Sequence, residues 1–203
     1  MDVKEAMVYV VDDDDAVRDS IRMLISTVGF RCEVFASAVE FLEAFEPRGL
    51  ACLVADIRMP GMSGLDLQAE LNKRKVHLPI VFITGHGDVR MAVDAMKAGA
   101  LDFLQKPFRD QELLDRINQA LSEDKDTREA NQTVAMIKQR MVTLTPRERQ
   151  VMAQVASGAA NKAIASDLGV SQRTVEIHRA RVMQKMGVRS LAELVRMASR
   201  VGL

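Results

Sequence analysis

Several short, largely apolar runs in the first half of this 203-residue chain each stop at a polar side chain, and that recurrence restricts the fold more than any other feature. Met7-Val8-Tyr9-Val10-Val11 runs into Asp12-Asp13-Asp14-Asp15, and Leu53-Val54-Ala55 runs into Asp56, followed by Ile57-Arg58-Met59-Pro60-Gly61-Met62-Ser63-Gly64. Ile80-Val81-Phe82-Ile83 stops at Thr84-Gly85, and Leu101-Asp102-Phe103-Leu104-Gln105 stops at Lys106-Pro107. Runs of this length bounded by turn residues read as buried strands. Strands covered on both faces belong to a parallel sheet, and in such sheets ligands bind outside the carboxyl ends of the strands.

The segments between these runs carry the helical period. From Asp14 to Val28, apolar residues recur at Val17, Ile21, Leu24, Ile25 and Val28, and Gly29 closes the pattern. Arg31 to Phe35 reads as a further strand, and Ser37 caps a helix carrying Phe41, Leu42 and Phe45. Further helices are predicted from Gly64 to about Lys73, from Asp88 to Lys97 and from about Asp110 to Leu121. Five strands alternating with five helices predict an α/β, doubly wound parallel sheet. The flavodoxin-like (βα)5 order 2-1-3-4-5 sets strands one and three side by side and brings Asp12, Asp13 and Asp56 to the switch point. Several carboxylates converging on one rim cost free energy unless a cation joins them, which implies a hard metal, most simply Mg²⁺.

The acidic pair Asp12 and Asp13, the Asp56 of D-I-R-M-P-G-M-S-G, Thr84 and Lys106-Pro107 resemble the phosphoacceptor signature of a bacterial response-regulator receiver domain. T-G-H-G-D at Thr84 to Asp88 and A-M-K-A-G-A at Ala95 to Ala100 are similar to the FixJ-type subgroup. The resemblance implies that Asp56 takes up a phosphoryl group as a nucleophile. It implies that Asp13 and Asp56 bind Mg²⁺ directly, with the backbone carbonyl of Arg58 as a third ligand and Asp12 acting through water. Lys106 and Thr84 then meet the phosphoryl oxygens, with the Lys106–Pro107 bond in cis; Phe103 is the aromatic switch position, an ordinary core residue, or both. Arg58 and His86 flank the pocket mouth and set access for hydrolytic water. Lys97 and Asp102 form a reciprocal pair across a two-fold dimer, or remain solvated surface charge.

Zero net charge hides an asymmetry. Residues 1–122 carry 20 acidic and 14 basic side chains, residues 123–140 four of each, and residues 141–203 only 4 acidic against 10 basic. An acidic half joined to a basic half suggests two tasks, the second on a polyanion. The chain divides accordingly into residues 1–122, a polar linker over 123–142 that is either helical or a flexible tether, and an all-α region of four helices over 143–203.

In that region, Thr145-Pro146-Arg147-Glu148 is a capping-box pattern opening a helix that Gly158 ends. A second helix spans about Asn161 to Leu168, Gly169 makes a tight turn, Ser171 caps a third helix running to Met186, and a fourth spans Ser190 to about Arg200. Two short helices across a glycine turn form a helix-turn-helix with the third helix of the region as reader. L-T-P-R-E-R-Q-V from Leu144, N-K-A-I-A from Asn161, L-G-V-S from Leu168, T-V-E-I-H from Thr174 and K-M-G-V from Lys185 together resemble the LuxR-type DNA-binding domain. Winding Ser171 to Met186 at 100° per residue puts Val175, His178, Val182 and Met186 inward, with His178 a satisfied interhelical residue. Arg173, Glu176, Ile177, Ala180, Arg181 and Gln184 face out. Ile177 suits a thymine methyl and Glu176 a cytosine amine, with Thr174 and Ala180 on the same surface. Lys162, Arg173, Arg179, Arg181 and Lys185 are expected at phosphates.

Cys32 and Cys52 lack metal-site spacing and read as buried free thiols. No apolar run reaches the roughly 18 residues of a membrane span, and Asp2, Lys4 and Glu5 do not make a signal peptide, so the expected location is cytoplasmic. The combined reading is a two-component response regulator that is not an enzyme beyond Asp56's own phosphorylation and slow dephosphorylation. The implied partners are a sensor histidine kinase, double-stranded DNA, a second copy when phosphorylated, and RNA polymerase. One rival is a Mg²⁺-dependent aspartyl-phosphate phosphatase, but that class wants an acid two residues past the nucleophile, where Arg58 stands. The other is a regulator acting through protein or RNA contacts.

Overall fold

The computed structural model of the chain describes residues 6–47, 49–85 and 89–203, the side chains of residues 89, 90 and 92 excepted. The chain forms two compact units, Met1–Thr127 and Arg128–Leu203.

In the first unit, β1 (Met7–Val11), β2 (Arg31–Phe35), β3 (Ala51–Asp56), β4 (Ile80–Thr84) and β5 (Asp102–Gln105) form one parallel sheet in the order β2-β1-β3-β4-β5. The expected order therefore holds. Every residue of β3 is buried, as its position at the middle of the sheet requires. The helices α1 (Asp15–Thr27), α2 (Ala38–Ala44), α3 (Gly64–Lys73), α4 (Val89–Lys97) and α5 (Asp110–Val142) follow the strands in turn. Alternation along the strands feeds two cores: Tyr9, Val11, Leu53 and Phe82 pack with α2 and α3 residues, whereas Val8, Val10, Val54 and Ile83 pack with Ile21, Ile25 and Ile117. The Asp14 carboxylate accepts from the Ala16 and Val17 amides and so starts α1. Ser63 and Asp66 form a capping box at the start of α3, directly after the Asp56 loop.

Helix α5 continues well past Leu121 to Val142, so the polar stretch expected as either helix or tether is helical. Polar helices of that kind are marginal without burial. Here its buried residues supply it: Leu121 and Asp124 belong to the first unit, and Ile137, wholly buried, to the core of the second. The Asp124 carboxylate accepts from the Ala51 amide at 3.0 Å, tying the helix to the start of β3.

The second unit adds α6 (Pro146–Ala156), α7 (Asn161–Leu168), α8 (Gln172–Met186) and α9 (Leu191–Arg200) around a core that includes Val151, Met152, Ile164, Val175, Val182 and Leu194. Thr145 and Glu148 make the capping box of α6, and Ser171 and Ser190 cap α8 and α9. Gly169 takes the left-handed conformation at the end of α7, where a side chain would be strained.

Candidate functional site

The register assembles the acidic rim. Val11 lies opposite Ala55, so the next residue, Asp12, emerges beside Asp56. Thr84 lies opposite Gln105, and the Lys106 amide donates to the Thr84 carbonyl at 2.7 Å, which brings Lys106 to the same edge. Its ammonium donates to Asp12 Oδ2 at 2.7 Å and to Asp56 Oδ1 at 2.8 Å, and the following Lys106–Pro107 bond is cis. Asp12 is wholly buried, Asp56 is 6 % exposed and Thr84 is 4 % exposed. Asp12 Oδ1 accepts from the Asp14 amide and Asp56 Oδ2 from the Arg58 amide.

Two buried carboxylates thus share one ammonium. Burial pushes the Asp56 carboxyl above its ordinary value, against the lowering effect of Lys106, with Asp12 adding to the rise. Burial acts to lower Lys106, but the hydrogen bonds and charges of both aspartates outweigh it and hold the ammonium above its ordinary value. Two hard oxygen donors converging on one cation have the chemistry Mg²⁺ requires. Asp13 stands exposed on the same turn, and among the described residues no three acidic, histidine or cysteine side chains gather closely enough to form a metal cluster. The Arg58 carbonyl and water would have to complete such a site. His86 lies outside the described residues, as does Asp88, at which the helix after β4 was expected to begin.

Phe103 is 38 % exposed, which removes the reading of it as an ordinary core residue. Asp102 pairs with Arg116 of α5 at 2.9 Å, while Lys97 is exposed at the last turn of α4. Asp102 therefore already holds a partner within its own chain. Cys52 is buried, but Cys32 is only half-buried; both thiols are free, and burial pushes Cys32 up to about 11.

On α8, Val175, Val182 and Met186 are buried, whereas Arg173, Glu176, Ile177, Ala180, Arg181 and Gln184 are exposed, as winding the helix predicts. Ile177 is 47 % exposed, an apolar side chain on an otherwise polar face. Lys162 is exposed at the start of α7, and the Thr174 hydroxyl hydrogen-bonds the Ser171 hydroxyl. Two basic residues expected at phosphates have other partners. Lys185 donates to Glu148 Oε2 at 2.7 Å and to the Thr143 carbonyl at 3.0 Å, and Arg179 donates to Asn161 Oδ1. His178 departs from expectation as well: its Nδ1 is buried and has no hydrogen-bond partner among the described residues.

Comparison with known proteins decides the family. Residues 8–118 match the response regulator receiver domain, and residues 142–198 match the bacterial regulatory proteins of the luxR family. The chain belongs to the response regulators of FixJ type. It is 51 % identical to Nodulation protein W of Bradyrhizobium diazoefficiens, over 98 % of this chain and 88 % of that one. It is 46 % identical to the transcriptional regulatory protein FixJ of Azorhizobium caulinodans, over 97 % of this chain and 93 % of that one. Among solved structures, response regulator StyR matches at a TM-score of 0.83 and 47 % identity, covering 97 % of this chain and 99 % of that one. A receiver followed by a LuxR-type domain makes this a two-component transcriptional response regulator, and neither the phosphatase nor the protein- or RNA-contact alternative is favoured.

Sequence reasoning passed over Arg18 and the loop-closing contact of Gly64, both of which hold the site of this response regulator. Arg18 of α1, its side chain 12 % exposed, donates to the Asp12 carbonyl at 2.6 Å and pairs with Asp15. Gly64 closes the Asp56 loop by donating to the Ile57 carbonyl at 3.0 Å. Charge and spacing did not distinguish Arg18 from a solvated helix arginine, because its partner is a backbone oxygen that only the β1–α1 turn presents.

Proposed function

We propose that Asp56 accepts a phosphoryl group from a sensor histidine kinase and that this controls how the second unit meets DNA. The observation that carries the reading is the pair of buried carboxylates on one ammonium at the carboxyl edge of a parallel sheet. A carboxylate oxygen of Asp56 attacks the phosphorus of a phosphohistidine. The P–O bond forms as the P–N bond breaks, and the imidazole nitrogen keeps the electron pair and takes a proton. Lys106 and the Thr84 hydroxyl meet the transferred oxygens. Mg²⁺ held by Asp13, Asp56 and the Arg58 carbonyl, with Asp12 through water, would offset repulsion between the anionic nucleophile and the anionic phosphoryl group. A cavity of about 550 Å³ beside Lys106, lined by Val17, Ile21, Leu24 and Pro107, suits an apolar partner surface that carries the phosphohistidine.

In this reading, residues 1–122 receive the signal, residues 123–142 link, and residues 143–203 bind double-stranded DNA. Exposed Val93, Met96 and Phe103 lie on α4 and β5 with Lys97 and support dimer formation there once Asp56 is phosphorylated. Asp102 would leave Arg116 to pair with Lys97 of a second copy. Arg173, Glu176, Ile177, Ala180 and Arg181 would face the major groove, with Thr174 and Lys162 at its edge; Arg179 and Lys185 would reach phosphates only by leaving Asn161 and Glu148. RNA polymerase is then met by the DNA-bound dimer, in the cytoplasm. Among the described residues no helix is long and apolar enough to cross a membrane.

The test is mass spectrometry of the intact chain after incubation with acetyl phosphate and Mg²⁺. One phosphoryl group on the wild type and none on Asp56→Asn is expected. Equal incorporation in both would overturn the assignment.

A further inference from the structure

The carboxyl end of α8 is held by the last turn of α5. A helix leaves its last carbonyls without intrahelical partners, and they carry the negative end of the helix dipole. Arg140 supplies a cation there: its Nη1 donates to the Met186 carbonyl at 2.6 Å. Beside it, Lys185 of α8 donates to the carbonyl of Thr143, the residue that follows α5, at 3.0 Å and to Glu148 Oε2 of α6 at 2.7 Å. The two segments therefore clasp each other, each contributing a cationic donor and a carbonyl acceptor.

The guanidinium lies against Gly187, where α8 ends with φ +64°. A Cβ at Gly187 would stand 2.9 Å from Arg140 Nη1 and 3.2 Å from its Cζ, so a side chain there would push the guanidinium off the carbonyl. On α5, Ile137 stands three residues earlier, on the same face, and is wholly buried in the core that holds Val182 and Met186. Arg140 thus projects from a packed turn, and its reach to Met186 depends on that turn remaining helical.

We infer that Arg140 is a positioning residue for DNA recognition: by holding the α8 terminus at Met186 and Gly187, it makes the seating of the reading helix depend on the helical state of the last turn of α5. The inference rests on α8 being the reader. The DNA-facing side chains, Arg173 to Arg181, are in the amino-terminal two-thirds of the helix, and the clasp is at its other end. A helix is a rigid element, so loosening one end changes the angle at which the other enters a groove. Arg140 itself makes no base contact in this scheme.

The experiment uses the full chain with two duplexes: one selected by the wild-type protein from a random-sequence pool, and poly(dI-dC) as the unselected control. Arg140→Met is expected to lose about ten-fold or more on the selected duplex, the cost of one misplaced base contact, and to change by less than about three-fold on poly(dI-dC). Arg140→Lys keeps the charge and a donor and should recover part of the loss. Circular dichroism melting confirms that each variant is folded, and Gly187→Ala gives a second route to the same displacement, with the same selective loss expected. Equal losses on both duplexes would make Arg140 a phosphate contact and overturn the inference, as would unchanged discrimination in Arg140→Met. Glu176→Gln and Ile177→Ala separate the two layers. If they abolish discrimination while Arg140→Met does not, only the positioning role falls; if they leave it intact, α8 is not the reader and both fall.

Discussion

Gly64 closes the motif that begins at Asp56, and its backbone needs no glycine on conformational grounds, since its φ lies outside the left-handed region. The requirement is space. A Cβ at position 64 would stand 2.3 Å from the Asp56 carbonyl oxygen and 2.9 Å from the ring of Phe82, against an ordinary contact of 3.4 Å or more. The nearer contact is with backbone, so α3 or the Asp56 peptide has to shift by about 1 Å, the difference between 3.4 and 2.3 Å. Overpacking of this kind costs about 1–3 kcal/mol. A displacement of about 1 Å at a reacting group costs about 10²-fold in rate. Gly64→Ala should therefore lower the urea midpoint of the first unit and slow phosphoryl incorporation from acetyl phosphate about 10²-fold. Gly61→Ala is the matched control: φ is +78° and nothing lies within 4 Å of the added Cβ, so it should cost about 1 kcal/mol with little change in rate. If Gly64→Ala phosphorylates at the wild-type rate, close approach to the phosphoacceptor peptide is not what position 64 provides.

Lys106→Met leaves Asp12 and Asp56 buried without their shared cation; because the lysine side chain is 26 % exposed, the expected loss is about 2 kcal/mol, read by urea unfolding in EDTA and diminished by added Mg²⁺. Phosphoryl incorporation in that variant should fall by at least 10²-fold. The Glu148 carboxyl is held below its ordinary value by the Lys185 ammonium and the Thr145 amide, so the stability it contributes is present above about pH 4.5 and is lost as pH falls through its lowered folded value. Glu148→Gln should accordingly weaken hydrogen-exchange protection of α6 and α8 by about 2 kcal/mol at pH 7, with the gap to wild type closing as the carboxyl becomes protonated in acid; a gap independent of pH would refute the pairing. Binding of the phosphorylated chain to its selected duplex should fall steeply with salt. Arg173→Gln should reduce the slope of log K against log salt by about 0.9, whereas Lys185→Gln, already engaged by Glu148, should barely alter it.

The sequence alone determined the parts of this protein governed by local rules. Apolar runs of strand length, helical periods and capping residues such as Ser37, Thr145 and Ser171 fix where elements begin, because each acts within a few residues of its own position. Parallel topology then sends Asp12, Asp56, Thr84 and Lys106 to one edge, so the acidic pocket was legible before any contact was known. Tertiary structure decided which partner each charge takes. Lys185 and Arg179 were expected at phosphates, yet they meet Glu148 and Asn161, and Asp102 meets Arg116. Nothing in the spacing of the chain signals these pairs, since they join segments up to 37 residues apart. Tertiary structure likewise settled the polar stretch after Leu121, whose own propensity leaves helix and coil close in free energy until Asp124 and Ile137 are buried at its two ends.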